Sequence, residues 1–107
     1  GKVFTQGATG ILNSLDAANG QLVWTRNTLE DAGSPNLSWG QCGSPLIVDD
    51  LVIVSPGSND LASQANKSAV IAYHRGSGEK VWATGSRIGS YASPNLATSN
   101  GARQVLV

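Results

Sequence analysis

Apolar residues in this chain fall in short runs broken by glycine, asparagine and aspartate, and no window sustains a 3.6-residue period. Leu46-Ile-Val48 and Leu51-Val-Ile-Val54 are separated only by Asp49-Asp50, a two-residue hairpin signal. Leu96-Ala-Thr98 and Gln104-Val-Leu-Val107 flank Ser99-Asn-Gly-Ala102, a hairpin of the same kind with a better turn. Ala69-Val-Ile-Ala-Tyr73 predicts a strand ending in Arg75-Gly-Ser-Gly78, and Lys80-Val-Trp-Ala83 predicts the next. Leu29-Glu-Asp-Ala is too short for a helix and runs into Gly33-Ser-Pro35, so none is expected there. The expected fold class is all-β.

A repeat underlies the pattern. Ser14-Leu-Asp-Ala-Ala-Asn-Gly-Gln-Leu-Val-Trp24 aligns with Ala72-Tyr-His-Arg-Gly-Ser-Gly-Glu-Lys-Val-Trp82, an offset of 58 positions. A second echo follows each tryptophan: Gly43-Ser-Pro-Leu46 and Ala92-Ser-Pro-Asn-Leu96 each open a new apolar stretch. One unit then has four antiparallel strands, at about 45–48, 51–54, 68–73 and 80–83. Three strands of a preceding unit lie at about 3–5, 11–15 and 22–25, and two of a following unit near the end. Three side-by-side sheets of three, four and two strands are expected. The continuous apolar run 51–54 requires cover on both faces of its sheet. Four-stranded sheets repeating head to tail, each covered by its neighbours, describe the blades of a β-propeller. The expected divisions are 1–25, 44–83 and 93–107, one complete blade between two partial ones. Antiparallel alternation puts the long connections, about 26–43, 55–67 and 84–92, at one end and the tight turns at the other. Function usually sits on the long-loop end.

Composition narrows the function classes. Seven basic and seven acidic side chains cancel, and only 13% of residues are charged, which argues against nucleic acid or an anionic membrane surface as partner. No apolar run approaches the roughly 18 residues of a membrane span. The single Cys42 excludes an internal disulfide and a multi-cysteine zinc site within these 107 residues. Strand-like residues at both ends make this chain an expected segment of a longer protein.

The eleven-residue unit resembles the tryptophan-docking motif of quinoprotein-like propellers, the pyrroloquinoline quinone (PQQ) repeat, which reads Ala-x-Asp-x-x-Thr-Gly-x-x-x-Trp. The first copy keeps Asp16, Gly20 and Trp24; the second keeps Ala72, Gly78 and Trp82, with His74 in place of Asp and Ser77 in place of Thr. The resemblance speaks to fold and not to chemistry, since the repeat occurs in dehydrogenases and in non-catalytic propellers alike. Gly20 and Gly78 are expected at φ > 0 in their turns. Asp16 can bond amides of its own turn, and His74 does so less well, so the second turn is expected to be looser. Trp24 and Trp82 are expected to be largely buried in seams between blades, each burying about 150–250 Å².

Candidate chemistry is sparse. Cys42 lies at the opposite end from His74, the only histidine, so a Cys–His dyad is not expected and a packed thiol is. Asp49-Asp50 reads as turn chemistry, and Glu30-Asp31 as a solvated loop pair rather than a calcium site. Gly57-Ser-Asn and Gly76-Ser-Gly lead into no helix and cradle no phosphate. Asn36-Leu-Ser and Asn66-Lys-Ser match the glycosylation sequon, which matters only in a eukaryotic secretory setting, and Arg75, Lys80, Arg87 and Arg103 read as a mixed surface. Trp39, Gln41, Ser44, Tyr91 and Ser93 all lie where a long loop meets an inner strand, the mouth of the central channel in a closed propeller. They suit a polar organic ligand or a peptide. The alternative role for Trp39 and Tyr91 is to plug that entrance.

Two functions follow from the resemblance. The first is a binding or scaffolding module, as in exported PQQ-like repeat proteins that include bacterial outer-membrane assembly lipoproteins; its partners are the remaining blades and a protein or small polar ligand at the channel mouth. It implies a periplasmic or otherwise exported setting, no catalytic residue and no cofactor within this segment. The alternative is part of a quinoprotein alcohol dehydrogenase, in which PQQ and calcium would be held by residues from several blades of the whole protein. The vicinal cysteine pair known in such dehydrogenases is missing, since this chain has one cysteine.

Overall fold

The computed structural model describes residues 1–34, 39–57, 69–85 and 91–107. Both sequons, Arg87, and most of the connection expected at 55–67 lie outside the described residues. The described strands form three antiparallel sheets of three, four and two strands. The first holds β1 (Lys2–Gln6), β2 (Ile11–Asp16) and β3 (Leu22–Asn27). The second holds β4 (Leu46–Val48), β5 (Leu51–Val54), β6 (Val70–His74) and β7 (Lys80–Thr84), in sequence order. The third is the hairpin β8 (Asn95–Ser99) and β9 (Ala102–Leu106).

The second sheet is apolar on both faces, and strand alternation decides what each face meets. Val52, Val54, Ile71 and Tyr73 point one way and pack with Leu12, Phe4 and Trp24 of the first sheet. Ile53, Val70 and Ala72 point the other way, into a cluster with Leu46, Val48, Leu51 and Val105, the last from the third sheet. Each fully buried Val, Ile or Leu in these layers is worth about 1.5–3 kcal/mol. The sheets therefore stack in series, with the central one covered on both sides, as the unbroken apolar run of β5 requires.

The structure corrects the expectation of no helix. Thr28–Ala32 forms α1 directly after β3. Asn27 caps it, its side-chain oxygen accepting from the Glu30 amide, and Gly33 closes it with φ 63 and a backbone N–H to the Glu30 carbonyl. Leu29 and Ala32 are buried, Ala32 in the cluster with Leu12. Five residues cannot display a helical period, yet both caps were present in the sequence.

The 58-position repeat is visible in the backbone. Trp24 stands opposite Ser14, and Trp82 opposite Ala72. A register shift follows each, between Ser14 and Leu15 and between Ala72 and Tyr73. The Asp16 amide donates to the Gln21 carbonyl and the Gly20 amide to the Asp16 carbonyl; the His74–Glu79 and Gly78–His74 bonds duplicate them. Gly20 and Gly78 have φ 73 and 76, as expected.

The two tryptophans have different fates. Trp24 is half-buried on the β6–β7 turn of the second sheet: its Nε1–H donates to the Arg75 carbonyl at 2.9 Å, and a β-carbon on Gly78 would lie 2.7 Å from its Cδ2. Its ring is tilted 6.0 Å from Phe4 and 6.4 Å from Tyr73. Trp82 does not meet the expectation of a buried seam residue, being 37% exposed. The third sheet supplies two strands and meets the second between β4 and β8 and through Val105 of β9.

Candidate functional site

The two long connections meet beside the second sheet. The Trp39 amide donates to the Tyr91 hydroxyl at 3.2 Å, and the Ser44 amide donates to Ser93 Oγ at 2.8 Å. Between these bonds Gly43 lies so close to the other segment that a β-carbon would be 2.9 Å from the Ala92 carbonyl oxygen. Four of the five candidate residues, Trp39, Ser44, Tyr91 and Ser93, are thus joined in pairs across two loops. Gln41 is held differently. Its amide donates to the Ala8 carbonyl in the β1–β2 turn, and its side chain is buried with Nε2 lacking a partner among the described residues. The β1–β2 turn therefore shares this end of the stack, while the Asp49-Asp50 and β6–β7 turns occupy the other, where the Arg75 amide meets the Asp50 carbonyl.

Trp39 is 83% exposed and Tyr91 45% exposed. An indole so open is not a packed plug among the described residues. The rings are instead presented from loops held by their own hydrogen bonds, which limits the ordering cost of binding. Cys42 is exposed, its Sγ 3.5 Å from the Gly40 carbonyl, which corrects the expectation of a packed thiol. It precedes β4 at the loop end, whereas His74 pairs with Leu51 at the opposite end of the sheet. The geometry therefore offers the thiol no imidazole base.

The repeat-motif residues lie away from this end, and two of them, Trp24 and Gly78, meet at the joint between the first two sheets. Asp16 Oδ1 accepts from the Ala18 amide at 2.9 Å. His74 Nδ1 accepts from the amides of Gly76 at 3.1 Å and Ser77 at 3.3 Å. The second turn thus has two side-chain bonds from one acceptor, each longer than the 2.9 Å bonds that Asp16 and Asn19 accept in the first. Ala72 is buried in the central sheet, and Ser14, its counterpart, is buried with a hydroxyl that has no partner among the described residues.

Three polar ties were not foreseen. Tyr73 donates its hydroxyl to Asp31 Oδ2 at 2.6 Å, joining β6 to α1. Burial, and then the Asp31 carboxylate, push the Tyr73 phenol far above its ordinary range, so it remains a donor. Arg26 lies over the Tyr73 ring at 5.8 Å and donates from Nε to the Gly78 carbonyl at 2.7 Å. Asp31 is therefore half-buried on a helix, not a solvated loop residue. At the tight-turn end Arg103 reaches Asp49 at 2.7 Å, which holds the Asp49 carboxyl below its usual range, while Arg75 stands 3.9 Å from Asp50. The Tyr73–Asp31, Arg26–Gly78 and Arg103–Asp49 partners lie 42 to 54 positions apart in the chain, beyond any local motif.

PQQ and calcium can be tested against this donor set. The candidate residues offer neutral oxygen and nitrogen donors, and of the acidic pair Glu30-Asp31, Asp31 is engaged by Tyr73. Calcium favours several oxygen ligands including carboxylates. The described residues include no cluster of three or more His, Cys, Asp or Glu side chains that could hold a metal ion. The candidate residues themselves, Trp39, Gln41, Ser44, Tyr91 and Ser93, supply no carboxylate for the metal. No helix among the described residues is long and apolar enough to cross a membrane. Neither the family models nor the curated proteins compared with this sequence give a match.

Proposed function

We propose that this chain is part of a PQQ-like repeat β-propeller that binds or scaffolds, with its recognition surface at the end carrying Trp39 and Tyr91. The observation that carries the reading is the zippered pair of long loops, joined at Trp39–Tyr91 and Ser44–Ser93 while both aromatic rings stay open to solvent. Exposed aromatic faces beside neutral hydrogen-bonding groups favour a peptide or a polar organic ligand over an ion. The stacked sheets, the 58-position duplication of turn and register, and the seating of Trp24 on the next turn all support successive blades of one array. Its structural partners are then the other blades. The family resemblance that motivates the reading implies an exported, periplasmic setting.

The test is titration with a library of short extended peptides, read by Trp39 emission in a chain carrying W24F and W82F. Saturable binding by a subset, lost in W39A and weakened in Y91F, is the expected result. Titration with PQQ and calcium separates the alternative: binding no tighter than millimolar is expected. Micromolar PQQ binding with no peptide binding would replace this reading with part of a quinoprotein dehydrogenase.

A further inference from the structure

We propose that His74 makes the seating of Trp24 acid-sensitive, because its neutral imidazole is the acceptor that holds the turn on which that ring rests. Nδ1 receives two backbone N–H groups, from Gly76 at 3.1 Å and Ser77 at 3.3 Å. An imidazole nitrogen accepts only through its lone pair, so this arrangement requires a ring whose proton is on Nε2. The ring also lies against the turn, 3.3 Å from where a β-carbon on Gly76 would stand. Protonation converts Nδ1 into a donor facing two other donors, and both bonds are lost together. Imidazole is the side chain whose ordinary charge change falls between about pH 5 and 8. In the equivalent turn of the first sheet Asp16 does the same work through Oδ1, with a carboxylate that remains an acceptor across that range.

The consequence reaches the joint because the first sheet holds this turn at three points. Trp24 Nε1–H donates to the Arg75 carbonyl, the indole covers Gly78, and Arg26 Nε donates to the Gly78 carbonyl. A turn that opens at His74 moves all three acceptor surfaces. The surrounding charges are Arg75, Glu79 and Lys80 on its own hairpin, Asp50 on the β4–β5 turn, and Arg26 on β3. Asp49 of the β4–β5 turn is occupied by Arg103. The unseated state takes up the extra proton, so seating is favoured at higher pH and weakens as pH falls.

The chain has one histidine, so its titration is unambiguous. A W39F/W82F chain leaves Trp24 as the only indole. Its emission should shift to the red between pH 7.5 and 5.5 with a one-proton slope, a change of up to about tenfold per pH unit in the seating equilibrium. H74D, which places the Asp16 acceptor in the second turn, should be flat over that window. A flat profile in the chain with His74, or equal titration in H74D, overturns the proposal. Nitrogen-15 NMR of the unsubstituted chain decides the matter even if H74D does not fold. The Nε2–H tautomer is expected at pH 7.5, with the Gly76, Ser77 and Trp24 indole N–H signals moving together on acidification. An Nδ1–H tautomer, or an indole signal that ignores the titration, overturns it equally.

Discussion

Gly78 and Gly20 provide a matched pair for measuring what the tryptophan joint contributes. Both close a turn of the same backbone type at nearly equal φ, 76 and 73. Around Gly20 nothing lies within 4 Å of a built β-carbon, whereas around Gly78 that carbon would be 2.7, 2.9 and 3.0 Å from three Trp24 ring atoms. Gly20→Ala therefore carries only the left-handed backbone cost, about 1–2 kcal/mol, reduced by up to about 1 through the stiffer unfolded chain. Gly78→Ala carries the same cost plus overpacking against a ring that cannot retreat from Phe4 and Tyr73, a further 1–3 kcal/mol or so. Urea unfolding followed by far-ultraviolet circular dichroism gives both values. In a Trp24→Ala background the Gly78→Ala cost should fall to that of Gly20→Ala, a coupling of about 1–3 kcal/mol. Equal costs for the two glycine variants with Trp24 present, or no coupling in the cycle, would show that the indole is not seated on this turn.

Ser14→Ala should raise stability by about 1 kcal/mol, because the hydroxyl is buried without a partner among the described residues; a loss in urea midpoint would reveal a bond it does make. Tyr73→Phe should cost about 1–3 kcal/mol by removing the hydroxyl from the Asp31 carboxylate, and an unchanged midpoint would mean that this tie contributes nothing. Arg103→Ala should return the Asp49 carboxyl upward to its ordinary titration range with little change in unfolding midpoint, read by carbon-13 NMR; this exposed pair favours the fold only while Asp49 is ionised and is lost as pH falls through its lowered range. The 1–107 chain should self-associate or melt below about 60 °C, since Val3, Leu22, Val23, Val81 and Leu106 are exposed on its sheets; a sharp monomeric melt above that temperature would contradict this.

The strands were legible because β-branched runs and glycine-bearing turns alternate on a scale that local sequence controls. Leu51-Val-Ile-Val54 even announced that its sheet is covered on both sides. Ser44 and Ser93, which share a bond, occupy equivalent Ser-Pro positions of the repeat, whereas Trp39 and Tyr91 do not, and neither bond could be read from the sequence. Burial of Trp82 was misjudged for a physical reason. A motif sets where a ring points, while its burial depends on what lies opposite: Trp24 has the β6–β7 turn there, and Trp82 is 37% exposed. The Tyr73–Asp31 bond was invisible because it depends on α1, whose five residues are too few to show a period.

What the two repeat units share is backbone geometry, and what separates them is the side chain that maintains it. The register shift after Ser14 and after Ala72 changes the phase of the strand just before the turn. That change lets a tight turn start at Asp16 or His74 while the tryptophan opposite still points at the neighbouring sheet. The same pair of backbone bonds then closes both turns, from Asp16 to Gln21 and from His74 to Glu79. Other turn amides find side-chain acceptors at position three of the motif, Asp16 or His74, and at position six, Asn19 or Ser77. Substitution there leaves the fold in place and changes only the condition under which the acceptor is present. The joint end of the stack is thus free to vary in its response to protons, while at the loop end the side-chain oxygens of Tyr91 and Ser93 hold the amides of Trp39 and Ser44.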